Sequence, residues 1–181
     1  MSEPSLVIVL LEDDHQKMLI YRYLINCGLN RHAIAIYRSP SGEGSAERWV
    51  RQRFVKETNV YRSRQARTAL IVMIDADTRT VQDRLNQLDQ ALRDSGSRIV
   101  VETERIARLV PKRNVETWIL CLNEQSVDEE TDYKRTGYNW NELIPIASET
   151  LCQWTRSQAE PPNHCVGSLR TGVRELKRLT S

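Results

Sequence analysis

Short apolar runs alternate with longer amphipathic segments through the first two thirds of the chain. Two runs of six residues, Leu6 to Leu11 and Ala69 to Ile74, are continuously apolar, as in strands buried on both faces of a parallel sheet. Weaker patterns predict two further strands, over His32 to Tyr37 and over Arg98 to Val101. This order predicts an α/β fold with a mostly parallel sheet flanked by helices.

Between these strands, apolar residues recur at helical spacing. The first helix is predicted to begin after Asp13 or Asp14 and to end at Gly28. Thr80 and Asp83 have the spacing of a capping box at the start of a third helix. The predicted inward-facing residues of the first four helices are Met18, Tyr21, Leu24 and Ile25; Ala46, Trp49, Val50 and Phe54; Val81, Leu85, Leu88 and Leu92; and Val115, Trp118, Ile119 and Leu122.

The length of 181 residues suits one domain with a short appendage and excludes a repeat array. Residues 1–123 are predicted to form the α/β domain. Residues 124–181 are predicted to form a helical C-terminal extension packed on that domain, with an acidic loop over 124–132 and helices near 140–154 and 168–179. No apolar run approaches the roughly 20 residues needed to cross a bilayer, so no membrane contact is expected.

The four cysteines are scattered and include no C-x-x-C pair, which argues against a zinc knuckle. We expect reduced thiols in a cytoplasmic protein, with Cys27 and Cys121 packed as small apolar side chains.

The formal net charge of +2 argues against a strongly basic coat protein and against a polyacidic binder. The total conceals the type and the position of the basic residues. Only five of the 26 are lysines, which leaves 21 arginines. The segment from Arg31 to Arg67 contains nine basic residues and three acidic ones. Arginine has a planar fork that suits phosphate, so this region favours an anionic ligand; a solvated helix face stabilised by pairs such as Glu47 with Arg51 is the alternative.

Carboxylates follow both continuous strands. Glu12 comes directly after the first, and Asp75 and Asp77 come after the second. Because the carboxyl ends of parallel strands meet at one edge of a sheet, these three side chains are expected to lie close together, where ligands of open α/β sheets bind. Crowded carboxylates either hold a proton or bind a cation, and hard oxygen ligands suit Mg²⁺ or Mn²⁺.

A strand ending in Glu followed by a strand ending in Asp-x-Asp resembles the Toprim domain of topoisomerases, primases and the nucleases of the overcoming-lysogenization-defect family. The similarity covers roughly residues 5–122, and Pro111-Lys-Arg-Asn-Val-Glu-Thr-Trp-Ile-Leu120 resembles the helix start that follows in such nucleases. The resemblance implies a Rossmann-like fold and a nuclease that uses Mg²⁺ or Mn²⁺ to hydrolyse DNA or RNA. It implies metal ligands at Glu12, Asp75, Asp77 and Glu116, with Glu12, Asp75 and Asp77 also catalytic.

Two basic groups of residues complete the predicted site. Lys112 is predicted to be catalytic by neutralising phosphate charge, with a solvated surface pair with Arg113 as the alternative. The residues predicted to bind nucleic acid are Arg48, Arg51, Arg53 and Arg113. Glu116 lies in the first turn of its helix, where an acid also favours the helix dipole, and it lies off the apolar stripe.

Small stand-alone proteins of this type are often companions of an ATPase in bacterial defence against phage. The chain has no Walker-type Gly-Lys-Ser/Thr motif, so an ABC-type ATPase of that family would be a separate subunit through which the chain assembles. The sequence departs from the family by having Asp13 in place of a glycine and Gln16 in place of a second acid.

Two alternatives therefore remain: a catalytically inactive Toprim docking subunit and a module like a response-regulator receiver. The receiver alternative is suggested by Val9-Leu-Leu-Glu-Asp-Asp14, although its second acidic strand comes too late in the chain and Asp77 lacks the usual Met-Pro turn.

Overall fold

In the computed structural model, residues 4–42, 44–64, 67–156 and 160–179 are described. They form one parallel sheet of four strands in the order β2-β1-β3-β4, with six helices around it. The strands are β1 (Leu6–Leu11), β2 (Ile34–Arg38), β3 (Thr68–Met73) and β4 (Ile106–Leu109). The helices are α1 (Asp14–Asn26), α2 (Ala46–Ser63), α3 (Val81–Asp94), α4 (Val115–Leu122), α5 (Trp140–Arg156) and α6 (Gly167–Lys177). The predicted α/β fold is confirmed, and it is consistent with a Rossmann-like fold of the Toprim type.

The two continuous apolar runs form the centre of the sheet. β1 and β3 pair in parallel, with Leu10 opposite Val72, so both strands end at the same edge. Alternate side chains enter two separate cores: Val9 faces α1, α4, α5 and α6, whereas Leu10 faces α2 and α3. Burial on both faces is why neither run contains a polar residue.

Helix α1 is capped as predicted but turns a different face inward. The Asp13 side chain accepts a hydrogen bond from the backbone N–H of Gln16, which makes Asp13 the N-cap. The predicted inward face was wrong in part, because Tyr21 and Ile25 are each 38% exposed. The buried apolar side chains are Leu19, Ile20, Tyr23 and Leu24. Since α1 is apolar on more than one side, its contacts with β2, α4 and α5 decide which side is buried.

The predicted strand over Arg98 to Val101 was wrong, and the fourth strand lies eight residues later. Leu70 of β3 pairs with Ile106, the first residue of β4. The carbonyl groups of Arg98 and Ile99 instead accept hydrogen bonds from the Arg62 guanidinium, at 2.8 and 3.1 Å. A side chain from α2 therefore satisfies backbone groups that a strand would have used in the sheet.

The residues after 123 share the core of the sheet. Helix α5 packs on α1 and α4, and α6 packs on β4 and α5. Gly172 of α6 lies so close to the Trp118 ring that a Cβ at this position would collide with it. The Trp118 indole N–H also donates to the Ser168 hydroxyl at 2.8 Å, which fixes α6 against α4.

The prediction of a reduced Cys27 was wrong, because Cys27 forms a disulfide with Cys152 of α5. Cys27 and Cys152 are separated by 125 positions in the sequence, although their Cα atoms lie 5.7 Å apart. Cys121 and Cys165 are buried free thiols, and the prediction that Cys121 packs in the core is confirmed. Glu43, part of the predicted basic region and of the loop before α2, lies outside the described residues. Across the described ranges, no helix has both the length and the apolar character needed to span a bilayer.

Candidate functional site

The ends of β1 and β3 bring the Glu12 and Asp75 carboxylates together around Gln16. Glu12 Oε2 accepts a hydrogen bond of 2.6 Å from the backbone N–H of Asp75. The Gln16 side-chain amide donates to Asp75 Oδ1 at 2.9 Å and to Glu12 Oε2 at 3.3 Å. Gln16 is fixed in turn because its Oε1 accepts from the backbone N–H of Glu12 at 2.9 Å. The two carboxylates are therefore held in one place by one buried amide.

Burial raises the pKa of both of these carboxyl groups. Desolvation, with a smaller contribution from the Asp77 charge, raises the pKa of Glu12 from 4.5 to about 7. Desolvation is also the largest cause that raises the pKa of Asp75 well above its usual range, followed by the charges of Glu12, Asp13 and Glu116. The pair therefore favours a bound proton or a bound cation near neutral pH.

Asp77 stands at the outer side of this pair. Its side chain is 64% exposed and lies 3.3 Å from the guanidinium of Arg84. Its backbone is left-handed, with φ +54°, and its N–H donates to the carbonyl of Arg113, which is also left-handed with φ +70°. Left-handed non-glycine residues are uncommon and costly, and they cluster at functional sites. The loops after β3 and β4 are thus joined at two strained residues beside the carboxylates.

Glu116 lies off the apolar stripe of α4, yet its side chain is fully buried. Its Oε1 lies 2.6 Å from Nδ1 of His15, which is in the first turn of α1. Its Oε2 is buried without a hydrogen-bond partner among the described residues. Helix α4 is only eight residues long and is buried all round, which is why its apolar stripe gave no guide to the position of Glu116.

Lysine 134 supplies a cation to this site from the C-terminal extension. Its Nζ lies 2.7 Å from Asp13 Oδ2. Burial lowers the pKa of Lys134, but the hydrogen bond to Asp13 and the charges of Glu116 and Asp75 raise it overall. Lys134 lies in the short 3₁₀ turn Tyr133–Arg135, so a loop far along the chain places a positive charge beside the buried acids.

The two basic residues predicted before α4 lie against that same loop. Lys112 Nζ is 3.4 Å from Glu130, and the Arg113 guanidinium is 3.7 Å from Asp132. The Asn114 side-chain amide donates to Asp132 at 2.7 Å, which adds a third polar contact. Lys112 and Arg113 therefore help to hold the acidic loop over the edge of the sheet.

The donor set has the chemistry that Mg²⁺ or Mn²⁺ requires, although its arrangement is incomplete. Glu12 and Asp75 share one amide donor, and the Glu116 carboxylate retains a buried oxygen without a partner. Within the described ranges, no group of three or more His, Cys, Asp or Glu side chains is arranged to hold a metal ion. Mg²⁺ usually keeps several waters and takes only one or two protein carboxylates, so Glu12 and Asp75 suffice as a protein contribution.

The predicted nucleic-acid-binding arginines of α2 differ in their contacts. Arg51 lies 2.5 Å from Glu47 of its own helix, and Arg53 pairs with Glu57 at 2.9 Å. The Arg53 guanidinium also lies over the Tyr37 ring, 4.4 Å from its centroid. Arg48 is exposed and lines a cleft of about 400 Å³ between α2 and α3, together with Arg51, Gln52, Val55, Ala91, Asp94 and Ser95.

Three side chains of the site were not singled out from the sequence. His15 was overlooked although it directly follows the acidic run, and its distance to Glu116 spans 101 residues of chain. Arg84 is buried in α3, where it donates to the Asp75 carbonyl at 2.9 Å and pairs with Glu47 at 2.6 Å. Lys134 lies just after the predicted acidic loop over 124–132, outside the segments that carry the predicted catalytic residues. The one local signal for Arg84 was its position, because it is an arginine on the side of α3 that the apolar residues predict to face the core.

Comparison of the chain with protein families, with curated proteins and with solved structures found no match.

Proposed function

We propose that the chain is a metal-dependent nuclease of the Toprim type that hydrolyses phosphodiester bonds of DNA or RNA with Mg²⁺ or Mn²⁺. The observation that carries this proposal is the pairing of Glu12 and Asp75 at the carboxyl ends of β1 and β3, where burial favours a bound cation. Basic side chains around that edge would hold the phosphate backbone.

In this proposal Glu12 and Asp75 would hold the metal ion, with Asp77 and Glu116 as the outer acids. The ion would supply positive charge to the attacked phosphate and lower the pKa of a bound water. Lys134, which contacts Asp13, and Lys112, which contacts Glu130 of the acidic loop, would offset phosphate charge.

His15 is positioned to accept a proton during the reaction. In this proposal Nδ1 of His15 donates to Glu116 Oε1, which lies 2.6 Å away, and Nε2 is the nitrogen that accepts the proton. The imidazole side chain is 29% exposed, so it can exchange protons with water. A base oriented by a buried carboxylate is a common arrangement in general base catalysis.

The cellular role that we propose is the effector subunit of a bacterial system for defence against phage. The chain would work with a separate ABC-type ATPase and would assemble through it. The support for this role is the resemblance of the Glu, Asp-x-Asp and Glu116 segments to the nucleases of the overcoming-lysogenization-defect family.

The experiment is a cleavage assay with plasmid, single-stranded DNA and RNA in Mg²⁺ or Mn²⁺, with and without the product of the neighbouring gene. Glu12→Gln and Asp75→Asn should each reduce cleavage at least about 100-fold, since each removes a charged ligand. Glu102→Gln is the matched control, because Glu102 is exposed and far along the chain from the acidic strand ends. Cleavage that persists in both site variants contradicts the proposal, and labelling of Asp75 by acetyl phosphate would favour the receiver-like alternative.

A specific observation also supports the inactive docking subunit as a second candidate. The Gln16 amide already satisfies both Glu12 and Asp75, in the position where the related nucleases have a second acid. If wild-type protein binds the ATPase but cleaves no substrate under any condition above, whereas Gln16→Glu gains cleavage, the docking role is favoured.

A further inference from the structure

Three aromatic rings form a continuous row that begins at the candidate site and ends at the surface. His15, which contacts Glu116, lies 5.7 Å from Trp140 between ring centroids. Trp140 lies 5.6 Å from Tyr138, and both pairs are tilted by about 50°. The row therefore connects the buried acid to an exposed ring through two intermediate side chains.

Packing in the core explains the position of Trp140 but does not explain why Tyr138 is aromatic. Trp140 is half-buried and packs against the core that includes α1 and α5. Tyr138 precedes α5 and is 44% exposed, one of the most exposed large apolar side chains among the described residues. An exposed aromatic ring that is held in place by a half-buried one offers a rigid flat surface at little cost in entropy.

Positive charge lies beside this surface. Lys134 and Arg135 belong to the 3₁₀ turn just before Tyr138, and both are exposed. Lys134 reaches back to Asp13 at the mouth of the site. A flat aromatic surface next to cations matches the two parts of a nucleotide, which are a planar base and a phosphate.

We propose that the Tyr138 ring, supported by Trp140, is a stacking platform for an unpaired nucleobase whose phosphate lies toward Lys134 and the carboxylates. This inference rests on the proposed nuclease function and names its substrate class: single-stranded or locally unpaired nucleic acid. In a duplex the faces of the bases are covered by their neighbours, so a side chain can stack only on a base that is unpaired or terminal.

The test measures binding without cleavage. Fluorescence anisotropy of a labelled single-stranded oligonucleotide is recorded with the full chain in Ca²⁺, alongside a hairpin duplex and an abasic single strand of the same length. Wild-type protein should bind the single strand more tightly than the duplex. Tyr138→Ala should weaken single-strand binding about tenfold, whereas Tyr138→Phe, which keeps the ring, should bind nearly as wild type does.

Two controls make the test specific. Tyr21→Ala removes a ring of similar exposure on α1 and should leave the affinity unchanged. The abasic strand should bind wild type about as weakly as the normal strand binds Tyr138→Ala, and it should show no further loss with that variant. Circular dichroism confirms that each variant is folded.

Unchanged single-strand affinity in Tyr138→Ala would overturn the platform, as would equal binding of abasic and normal strands or a preference for the duplex. Loss of ATPase binding in Tyr138→Ala, with nucleic-acid affinity intact, would overturn it in favour of a protein contact. The nuclease proposal fails separately, if wild type binds single strands through Tyr138 but cleaves none of them.

Discussion

The acidic edge of the sheet and the arginine-rich helix α2 have opposite charges and also opposite degrees of internal pairing. At the sheet edge, Glu12 and Asp75 are buried side by side and share the neutral amide of Gln16. On α2, Arg51 and Arg53 are each matched by an acid four residues away on the same helix. Arg51 and Arg53 are therefore paired within their own helix, whereas Glu12 and Asp75 form no ion pair with another described residue.

This difference indicates where the binding of an external ligand would release the most free energy. A cation at the sheet edge would relieve repulsion between buried acids, which is worth far more than a contact in water. An anion at α2 would compete with Glu47 and Glu57 for guanidinium groups that are already paired. The near-zero net charge hides both facts, because it counts paired and unpaired groups alike.

The largest expected effect comes from adding a third acid beside Glu12 and Asp75. Gln16→Glu would place a third carboxylate between Glu12 and Asp75, and we expect it to lower the free energy of unfolding by about 4 kcal/mol at pH 8 in EDTA. Most of this loss should be recovered at pH 5 or with Mg²⁺. Denaturant unfolding measures both effects.

Gln16→Leu is the control for that variant, because it removes the same hydrogen bonds without adding charge. Its loss of stability should respond little to Mg²⁺. If Gln16→Glu is as stable as wild type at pH 8 in EDTA, the sheet edge already holds enough positive charge, and the contrast with α2 is wrong.

The next largest effect is the pH dependence of stability. The folded protein holds the Glu12 proton up to a pKa of about 7, whereas the unfolded chain releases it near 4.5. Stability should therefore be highest at low pH within this window and fall by about 3 kcal/mol between pH 5 and pH 8. The raised pKa of Asp75 acts in the same direction. Urea unfolding at several pH values provides the measurement.

Glu12→Gln should flatten that slope, because the variant has no proton to lose at this position. Glu102→Gln, an exposed acid, should keep the wild-type slope. A wild-type stability that is flat from pH 5 to pH 8 would show that Glu12 ionises normally in the folded protein.

The sequence was sufficient for the elements whose surroundings are uniform. β1 is apolar at every position and β3 at every position after Thr68, because both faces of the sheet are covered, so their acidic ends were located without any tertiary information. The capping box of Thr80 and Asp83 was likewise local and is present. Predictions failed where a distant group decided the outcome, as with Arg62, which holds the backbone of residues 98–99.

The site itself could be predicted only in part for the same reason. Glu12 and Asp75 follow from strand order, but Lys134 reaches Asp13 across 121 residues and His15 reaches Glu116 across 101. Such contacts depend on how the C-terminal extension and α4 pack, which the local pattern of residues does not record. The Cys27–Cys152 disulfide was missed for this reason too.

A smaller effect is expected when a pair on α2 is broken. Arg53→Ala would leave the carboxylate of Glu57, whose side chain is 6% exposed, without its cation and would remove the contact with Tyr37. We expect a loss of about 2 kcal/mol in unfolding free energy. The double variant with Glu57→Gln should recover at least half of it, because no charge is then left unpaired. Equal losses in the single and double variants would contradict this pairing.

The smallest effect is expected at Arg48, which is exposed and makes no ion pair with another described residue. Arg48→Ala should change the free energy of unfolding by less than about 0.5 kcal/mol, since the substitution breaks no ion pair with another described residue. If α2 meets nucleic acid, the variant should weaken binding about threefold at low salt and reduce the slope of log affinity against log salt by about 1. Arg22→Ala, an exposed arginine on the opposite face of the sheet, is the matched control. An effect of Arg48→Ala no larger than that of Arg22→Ala would mean that α2 is a solvated face, which leaves the carboxylate edge and its neighbouring loops to bind the substrate alone.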